Sequence, residues 1–321
     1  MYCMSSILEF TPPLINGVSA SKVFLPREVI ANTIFDYLCQ HFPHIHASEW
    51  QQRFDDGLIY AADGSQLQLN STYTPNTHIF YYRFLAHEIH VPFQHEILFE
   101  NDDLIVVDKP HFLTMSPTGQ YVQETLLVRL KKQTGYVDLT PIHRLDRETA
   151  GIVLFSKRPA SRGVYQQLFA ERKVQKTYHA IAAYRSELTF PQTVNLHLEK
   201  GHPFYTMQIN NEKESNSETY IELLEHDLQL AKYLLKPKTG KQHQLRVHLN
   251  SLGIPILNDS FYPVIQHRDD DDFTTPLQLL AKAINFIDPI TNQEMQFSSH
   301  HELTLQTQRN DKNSIFSAQK Y

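Results

Sequence analysis

Cysteine is scarce in this chain of 321 residues: there are two, Cys3 and Cys39. Two thiols cannot build a disulfide framework or a cysteine-rich zinc site. A run of about 18 apolar residues, the length a membrane-spanning helix needs, is also lacking. The first ten residues hold no basic stretch leading into an apolar one, so no secretory signal is expected. These absences point to the cytoplasm and to no membrane partner. Excess positive charge is missing as well. With 29 Lys and Arg against 35 Asp and Glu, the net charge is −6 and the pI near 6.3. A general nucleic-acid binder held by its overall field is thereby excluded, and any such partner must meet a local basic patch. Histidine is plentiful at 18, with His41, His44 and His46 close together. No Asp or Glu falls in that run to complete a ligand set, so it reads as a polar helix end and no metal is expected.

What is present is ordinary soluble-protein composition, 41% hydrophobic and 20% charged, in a length that suits two modest domains. Residues 19–92 read as a small α/β module. Ile30, Ile34, Leu38 and Phe42 form an i, i+4 stripe that predicts a helix over 27–42. Ser48 with Gln51 resembles a capping box for a second helix that Gly57 stops. Strands at 58–60 and 67–69 around an Asp63-Gly64 turn, then one at 79–82, complete the module. Two helices followed by short strands is the outline of an S4-like RNA-binding module. Only four Lys or Arg (Lys22, Arg27, Arg53, Arg83) stand against eight Asp or Glu in residues 1–92, so strong phosphate binding there is not expected.

A linker is placed at 83–95, where Val91-Pro92 breaks regular structure. Beyond it, apolar strands are predicted at 104–107, 152–155, 178–183, 219–224 and 228–235. Helices are predicted at 124–132 (ended by Gly135), at 159–170 with Val164, Leu168 and Phe169 on one face, and at 241–252 with Gly253 as its stop. Strands outnumber helices and come in runs, so the fold class is α+β with a mixed, mostly antiparallel sheet. The acidic stretch 269–272 reads as a solvated loop. The domain division is 1–92, 93–300 and a polar tail at 301–321.

Three segments carry candidate chemistry. His143-Arg144-Leu145-Asp146-Arg147-Glu148-Thr149-Ala150-Gly151 sets a carboxylate, flanked by Arg144 and Arg147, just before an apolar strand. An ionised carboxylate there can serve as nucleophile or base, although on local pattern alone such a run reads as a surface ion-pair cluster. Thr239 to His248 brings Gly240, Lys241, Gln242, His243, Gln244 and Arg246 to a helix start, a donor-rich end suited to phosphate or carboxylate, or else a plain polar face. Lys173, Lys176 and Tyr178 place an aromatic and two cations at the start of a strand. That suits a base stacked over tyrosine with lysine on phosphate, or plain packing.

Taken together and in order, the motifs resemble those of the RluA-type pseudouridine synthases across roughly residues 97–297. Val107-Asp108-Lys109-Pro110 is similar to the family's first motif. His143 to Gly151 is similar to its catalytic motif HRLDxxTSG, with Ala150 for the serine. Thr239 to His248 is similar to TGRxHQ(L/I)RVH, with Lys241 for the arginine. Gly253 to Asp259 with Tyr262 is similar to GxPIxGDxxY, with Asn258 for the second glycine. Leu280 stands where a histidine is common in the closing motif.

The resemblance implies a pseudouridine synthase fold over 93–300 and conversion of specific uridines to pseudouridine in structured RNA, large-subunit (23S-type) rRNA and/or tRNA. The enzyme would be a monomer that needs no cofactor. It further implies that Asp146 is the catalytic aspartate, that Tyr178 stacks on the flipped base and takes part in its proton removal, and that Arg246 ion-pairs Asp146. Arg144 would enter the RNA where the uridine leaves. Arg147, Lys109, Lys176, Lys241, His243 and Gln244 are expected to contact RNA. Leu235, with Leu234 and residues 152–155, is expected to form a dry wall that keeps water from the detached base. Two other classes are weighed beside this one. A non-catalytic RNA binder has no need of Asp146, and a glycoside hydrolase needs a second carboxylate flanking the bond, for which only Glu148 is nearby.

Overall fold

The computed structural model describes residues 10–85 and 87–305, which fall into two units. One comprises the residues up to Ile89 together with Ser116–Val137; the other comprises His90–Met115 and the chain from Asp138 on. A linear division at 92/93 does not contain the return of Ser116–Val137 to the first unit.

The first unit holds β1 (Ser21–Leu25), α1 (Ile34–His41), α2 (Ala47–Asp55), β2 (Ile59–Ala61) and β3 (Thr77–Tyr81), with α3 (Leu126–Thr134) from the returning segment. The strands form an antiparallel sheet in the order β1-β3-β2. Its core gathers Leu38, Trp50, Phe54, Ile59 and Ile79. Helix α1 is shorter than the apolar stripe over 27–42. Thr33 accepts from the Asp36 N–H (3.0 Å) while Asp36 accepts from the Thr33 N–H (3.1 Å), so the chain turns helical only there. Ile30, left outside, is 92% exposed. The capping box of α2 is likewise His46 with Glu49, two residues before the one expected at Ser48. The strand expected at 67–69 is reduced to a single bond from the Leu67 N–H to the Ile59 carbonyl (2.9 Å), and β1 takes the sheet position beside β3. Helix α3 ends at Gly135 (φ +75°), as its glycine predicts. Just before that helix, the Glu88 carboxylate accepts from the N–H groups of Val122, Gln123 and Glu124 (2.6, 2.8 and 2.8 Å).

The second unit contains β4 (Glu96–Glu100), β5 (Leu104–Lys109), β6 (Thr140–Pro141), β7 (Ala150–Ser156), α4 (Pro159–Ala170), β8 (Gln175–Ala183), β9 (Gln192–Leu196), β10 (Leu198–Lys200), β11 (Met207–Ile209), β12 (Ser217–His226), β13 (Leu230–Pro237), α5 (Gln244–Ser251), β14 (Leu279–Ile287) and β15 (Glu294–Ser298). Its main sheet runs β4-β5-β7-β14-β8-β13-β12-β9, with β15 on β14 and β6 on β7; β10 and β11 form a separate ribbon. Among the described residues the pair β7–β14 is the parallel one, and every other pairing is antiparallel. This is the mixed, mostly antiparallel α+β sheet that the strand-rich pattern predicts.

Strand β7 is buried at all seven positions, hence its apolar run up to Phe155. Gly151, near its start, has φ +112°, and a Cβ there would lie 2.2 Å from the Ala281 carbonyl oxygen on β14. Only glycine allows the parallel strand so close. Helix α4 begins at Pro159, whose missing N–H costs nothing in a first turn. Its inward face is Ser161, Tyr165 and Leu168; Val164, expected inside, is 44% exposed. Leu303 packs with Ala150, Ile181 and Leu280, so this unit's core extends beyond residue 300; the rest of the predicted tail, from 306, lies outside the described residues.

Candidate active site

The segment between β6 and β7 is fixed at both ends. Ile142 donates to the Leu154 carbonyl (2.9 Å), and His143 Nε2 accepts from the Leu154 N–H (3.2 Å) while its ring stacks on Phe169 at 4.6 Å. Burial, and then the nearby Lys176 charge, push the His143 imidazole down to about 3, so it stays neutral and keeps that acceptor. The Thr149 N–H closes a turn onto the Asp146 carbonyl (3.2 Å) just before the strand begins. Asp146 is thus held on a short loop by a buried strand, with its side chain 34% exposed.

Asp146 lines a cleft of about 950 Å³ within the second unit. Tyr178 (from β8), Lys176, Arg144, Lys241, His243, Gln244 and Arg246 line the same cleft, so three segments far apart in sequence converge. Arg172 and Lys238, which no motif singled out, join them. Among the described residues, six lysines and arginines face the cleft against one acidic residue, in a chain whose net charge is −6. The local basic patch demanded by the composition is therefore present.

Arg246, on α5, is 1% exposed and is the hub of the charged network. Its Nε and Nη2 donate to the two Asp259 oxygens (2.8 and 2.6 Å), Nη1 reaches Asp146 Oδ2 at 3.5 Å, and Nη2 lies 3.6 Å from Glu148. Burial alone would lower the guanidinium pKa. The hydrogen bonds and charge of Asp259, followed by Asp146 and Glu148, outweigh burial and raise it. Asp259 is thus the principal partner, in a bidentate pair, and it also accepts from the N–H groups of Phe261 and Tyr262 (2.8 and 3.1 Å). Glu148 is occupied by Ser260 Oγ (2.9 Å). Sequence reasoning missed Asp259 and Ser260; the signal available was the Asn258-Asp259 turn next to Tyr262. Asn258 has φ +64°, the left-handed region that favours glycine and tolerates asparagine, so the replacement of glycine in the motif keeps its backbone.

His243 differs from its predicted role as an RNA contact. It is buried, with Nδ1 2.9 Å from the Tyr262 hydroxyl and Nε2 3.9 Å from Asp146. Burial holds its pKa down to about 4, so the ring is neutral at pH 7. The Tyr262 oxygen accepts from the Met207 N–H (2.8 Å), and burial raises that phenol to about 12. The phenolic proton is then directed to His243 Nδ1. The hydrogen-bond network accordingly assigns the His243 proton to Nε2, facing Asp146. On Tyr178, burial and then the negative charge of Asp146 raise the phenol above its usual range, which keeps its proton on at neutral pH.

Four further expectations are corrected. Lys109 is fully buried, and its ammonium donates to the carbonyls of Pro110, Leu113 and Arg147 (3.0, 3.0 and 3.1 Å), so it braces the loop of Asp146 from below and cannot reach a phosphate. Arg147 does not line the cleft; its Nη2 donates to the Asp270 carbonyl (3.0 Å) and its guanidinium lies 5.8 Å from the Phe112 ring centre. Gln244 lines the cleft with its amide already used: Oε1 accepts from Thr239 Oγ1 and the Lys241 N–H, and Nε2 donates to the Glu218 carbonyl and Thr219 Oγ1. Leu235 pairs in register with Tyr178 but belongs to the core beneath, and the apolar lining comes instead from Ile142, Leu145, Phe169, Val174, Leu245 and Leu279.

A family model described as RNA pseudouridylate synthase matches residues 103–251, which include Asp146, Tyr178 and Arg246. Over that stretch, a little under half of its length, the chain is similar to the RNA pseudouridine synthases. It is 28% identical to an uncharacterized RNA pseudouridine synthase of Synechocystis over 71% of this chain and 79% of that one. With the dual-specificity RNA pseudouridine synthase RluA of Haemophilus influenzae it shares 29% identity over 64% of this chain and 92% of the relative. It spans only 30% to 46% of the length of several human and yeast relatives. Among solved structures, human RNA pseudouridylate synthase domain containing 1 superposes with a TM-score of 0.52 at 25% identity, over 64% of this chain and 83% of that one.

Proposed function

We propose that the cleft converts a uridine, flipped out of structured RNA, into pseudouridine, with Asp146 as the catalytic carboxylate. The observation that carries this reading is the meeting of Asp146, Tyr178 and Arg246 in one cation-lined cleft, with Arg246 Nη1 3.5 Å from the carboxylate. In the reaction the N1–C1′ bond breaks, the base rotates and C5 bonds to C1′; C5 gives up its hydrogen as a proton, and N1 ends protonated. Asp146 is the nucleophile or base of this sequence, set against Arg246 and the His243 Nε2–H. Tyr178, a neutral phenol, stacks on the base, and its retained proton argues for packing and hydrogen bonding ahead of proton removal. Arg144, exposed at the lip, fills the stack the uridine leaves, offsetting part of the few kcal/mol that flipping costs. Arg172, Lys176, Lys238 and Lys241 neutralise phosphates around it. The apolar lining excludes water while the base is detached.

The substrate we infer is large-subunit rRNA and/or tRNA, bound by a cytoplasmic monomer without a cofactor. The first unit, assigned S4-like on its order of elements alone, contributes little phosphate binding in this reading. Of its seven basic residues, Arg53 is buried over Trp50, Arg83 donates to the Gly119 carbonyl, Arg129 pairs with Glu124, and Lys131 donates to Ser19 Oγ and the Val137 carbonyl. The hydrolase reading loses its footing because, among the described residues, Asp146 is the single acidic one lining the cleft, while Glu148 and Asp259 are committed to Arg246. The test is to map pseudouridine in rRNA and tRNA from cells with and without the gene. A site that vanishes and returns with the wild-type gene supports the proposal; an unchanged map in both RNA classes contradicts it.

A further inference from the structure

The connection between β10 and β11 carries two exposed aromatics, Phe204 (78%) and Tyr205 (39%). A lone exposed aromatic on a protein surface is unremarkable. These two are neither alone nor adrift. The loop is stitched by the Gly201 N–H to the Thr206 carbonyl (3.0 Å) and by Thr206 Oγ1 to the Pro203 carbonyl (2.7 Å). It is tied to the cleft by Gln242, a lining residue whose Nε2 donates to the Tyr205 carbonyl (3.2 Å) and whose Oε1 accepts from Lys200 Nζ (2.6 Å). The rings also connect inward. Phe204 and Tyr205 stand 5.7 Å apart edge to face, Tyr205 lies 5.4 Å from Phe261, and Phe261 lies 5.4 Å from His243, which borders Asp146. A continuous run of rings thus leads from the carboxylate to the surface and ends on an open face, with the cations Lys200 and Lys241 exposed beside Gln242.

We propose that Phe204 and Tyr205 form a stacking platform for an unpaired nucleobase next to the target uridine, with Lys200 and Lys241 on its flanking phosphates. The chemistry is that of single-strand recognition, in which an aromatic face takes any base and lysine tracks the backbone. Positive charge beside an exposed π face complements a nucleotide, whereas an apolar protein partner gains nothing from the two lysines. The platform sets which loop or bulge contexts the enzyme accepts. It rests on the reading of the cleft as a uridine-isomerising site.

The experiment compares wild type, Phe204→Ala and Phe204→Trp in two assays. Turnover is measured on total tRNA and large-subunit rRNA from cells lacking the gene. Binding is measured separately, with a fluorescein-labelled uridine-rich single-stranded oligoribonucleotide and with the same strand carrying 2-aminopurine. Phe204→Ala is expected to raise KM and Kd about tenfold, equivalent to ~1.4 kcal/mol, with kcat within about twofold, and to lose the stacking quench of 2-aminopurine; Phe204→Trp is expected to restore both. Pseudouridine formation with KM, Kd and quench unchanged in Phe204→Ala overturns the platform and leaves the catalytic reading intact. RNA binding that depends on Phe204 without any pseudouridine formed supports the platform and overturns the catalytic reading. No binding by wild type overturns the platform outright.

Discussion

Asp259→Asn should be among the most damaging single changes in the second unit. The Asp259 side chain is 0% exposed and takes four hydrogen bonds, two from Arg246 and one each from the Phe261 and Tyr262 N–H groups. Replacing the carboxylate with an amide leaves Arg246 buried with its remaining partners at 3.5 and 3.6 Å. Removing one member of a buried ion pair costs about 3–5 kcal/mol, which in a unit of this size lowers the melting temperature by roughly 10 °C. The amide also turns a donor toward groups that donate to it. Thermal unfolding followed by far-UV circular dichroism measures the loss. The single tryptophan, Trp50, lies in the first unit, so its native emission serves as a control that this unit is folded. The paired replacement Arg246→Met with Asp259→Leu removes both charges and should recover much of the stability while leaving no activity. A melting temperature within about 2 °C of wild type for Asp259→Asn would refute the hub role of the pair.

Gly151→Ala should lose about 3 kcal/mol or more, seen as a lower urea midpoint or as insoluble protein, because its Cβ would meet the Ala281 backbone. Asn258→Gly should be nearly neutral and Asn258→Val should cost about 1–2 kcal/mol by the same measurement, since only the former suits φ +64°. Tyr262→Phe should lower kcat roughly tenfold, about 1.4 kcal/mol, with KM little changed, because the His243 proton loses its assigned position; steady-state kinetics decide it. Two buried histidines, His243 and His248, have folded pKa values lowered from 6.5 to about 4, chiefly by burial. Groups depressed in the folded state bind more protons when unfolded. Their stability contribution is therefore complete above pH 6.5 and lost as pH falls toward 4, a few kcal/mol in all. Urea midpoints at pH 7, 5.5 and 4.5 should fall in that order, and the fall should shrink in His243→Asn.

Strands β5 and β7 of the main sheet were legible in the sequence because they are buried on both faces. The apolar run from Ile152 to Phe155 in β7 leaves no other use for those residues. Edge elements were not: β1 and β15 expose alternate residues and carry no stronger signal than a loop. Helix limits failed where a cap overrode the apolar stripe, at Thr33 for α1 and at the left-handed His243 for α5. In the site, the three motif segments could be found because each keeps its residues contiguous. The partnership of Arg246 with Asp259 joins residues 13 apart around a turn, and the bracing of Asp146's loop by Lys109 joins residues 38 apart through Arg147's carbonyl. Neither follows from residue type. A lysine read as a phosphate contact and a lysine coordinated by three carbonyls look the same until burial is known, and the same holds for Gln244 and Leu235.

The proposed chemistry turns on Asp146, and release of tritium from RNA labelled at uridine C5 tests its role most directly, because the C5 hydrogen leaves when C5 bonds to C1′. Purified wild-type protein, given rRNA and tRNA from cells lacking the gene, should release tritium in step with pseudouridine formed, and folded Asp146→Asn should release none. Turnover by Asp146→Asn within about tenfold of wild type, a change of only ~1.4 kcal/mol in the barrier, would contradict the central claim.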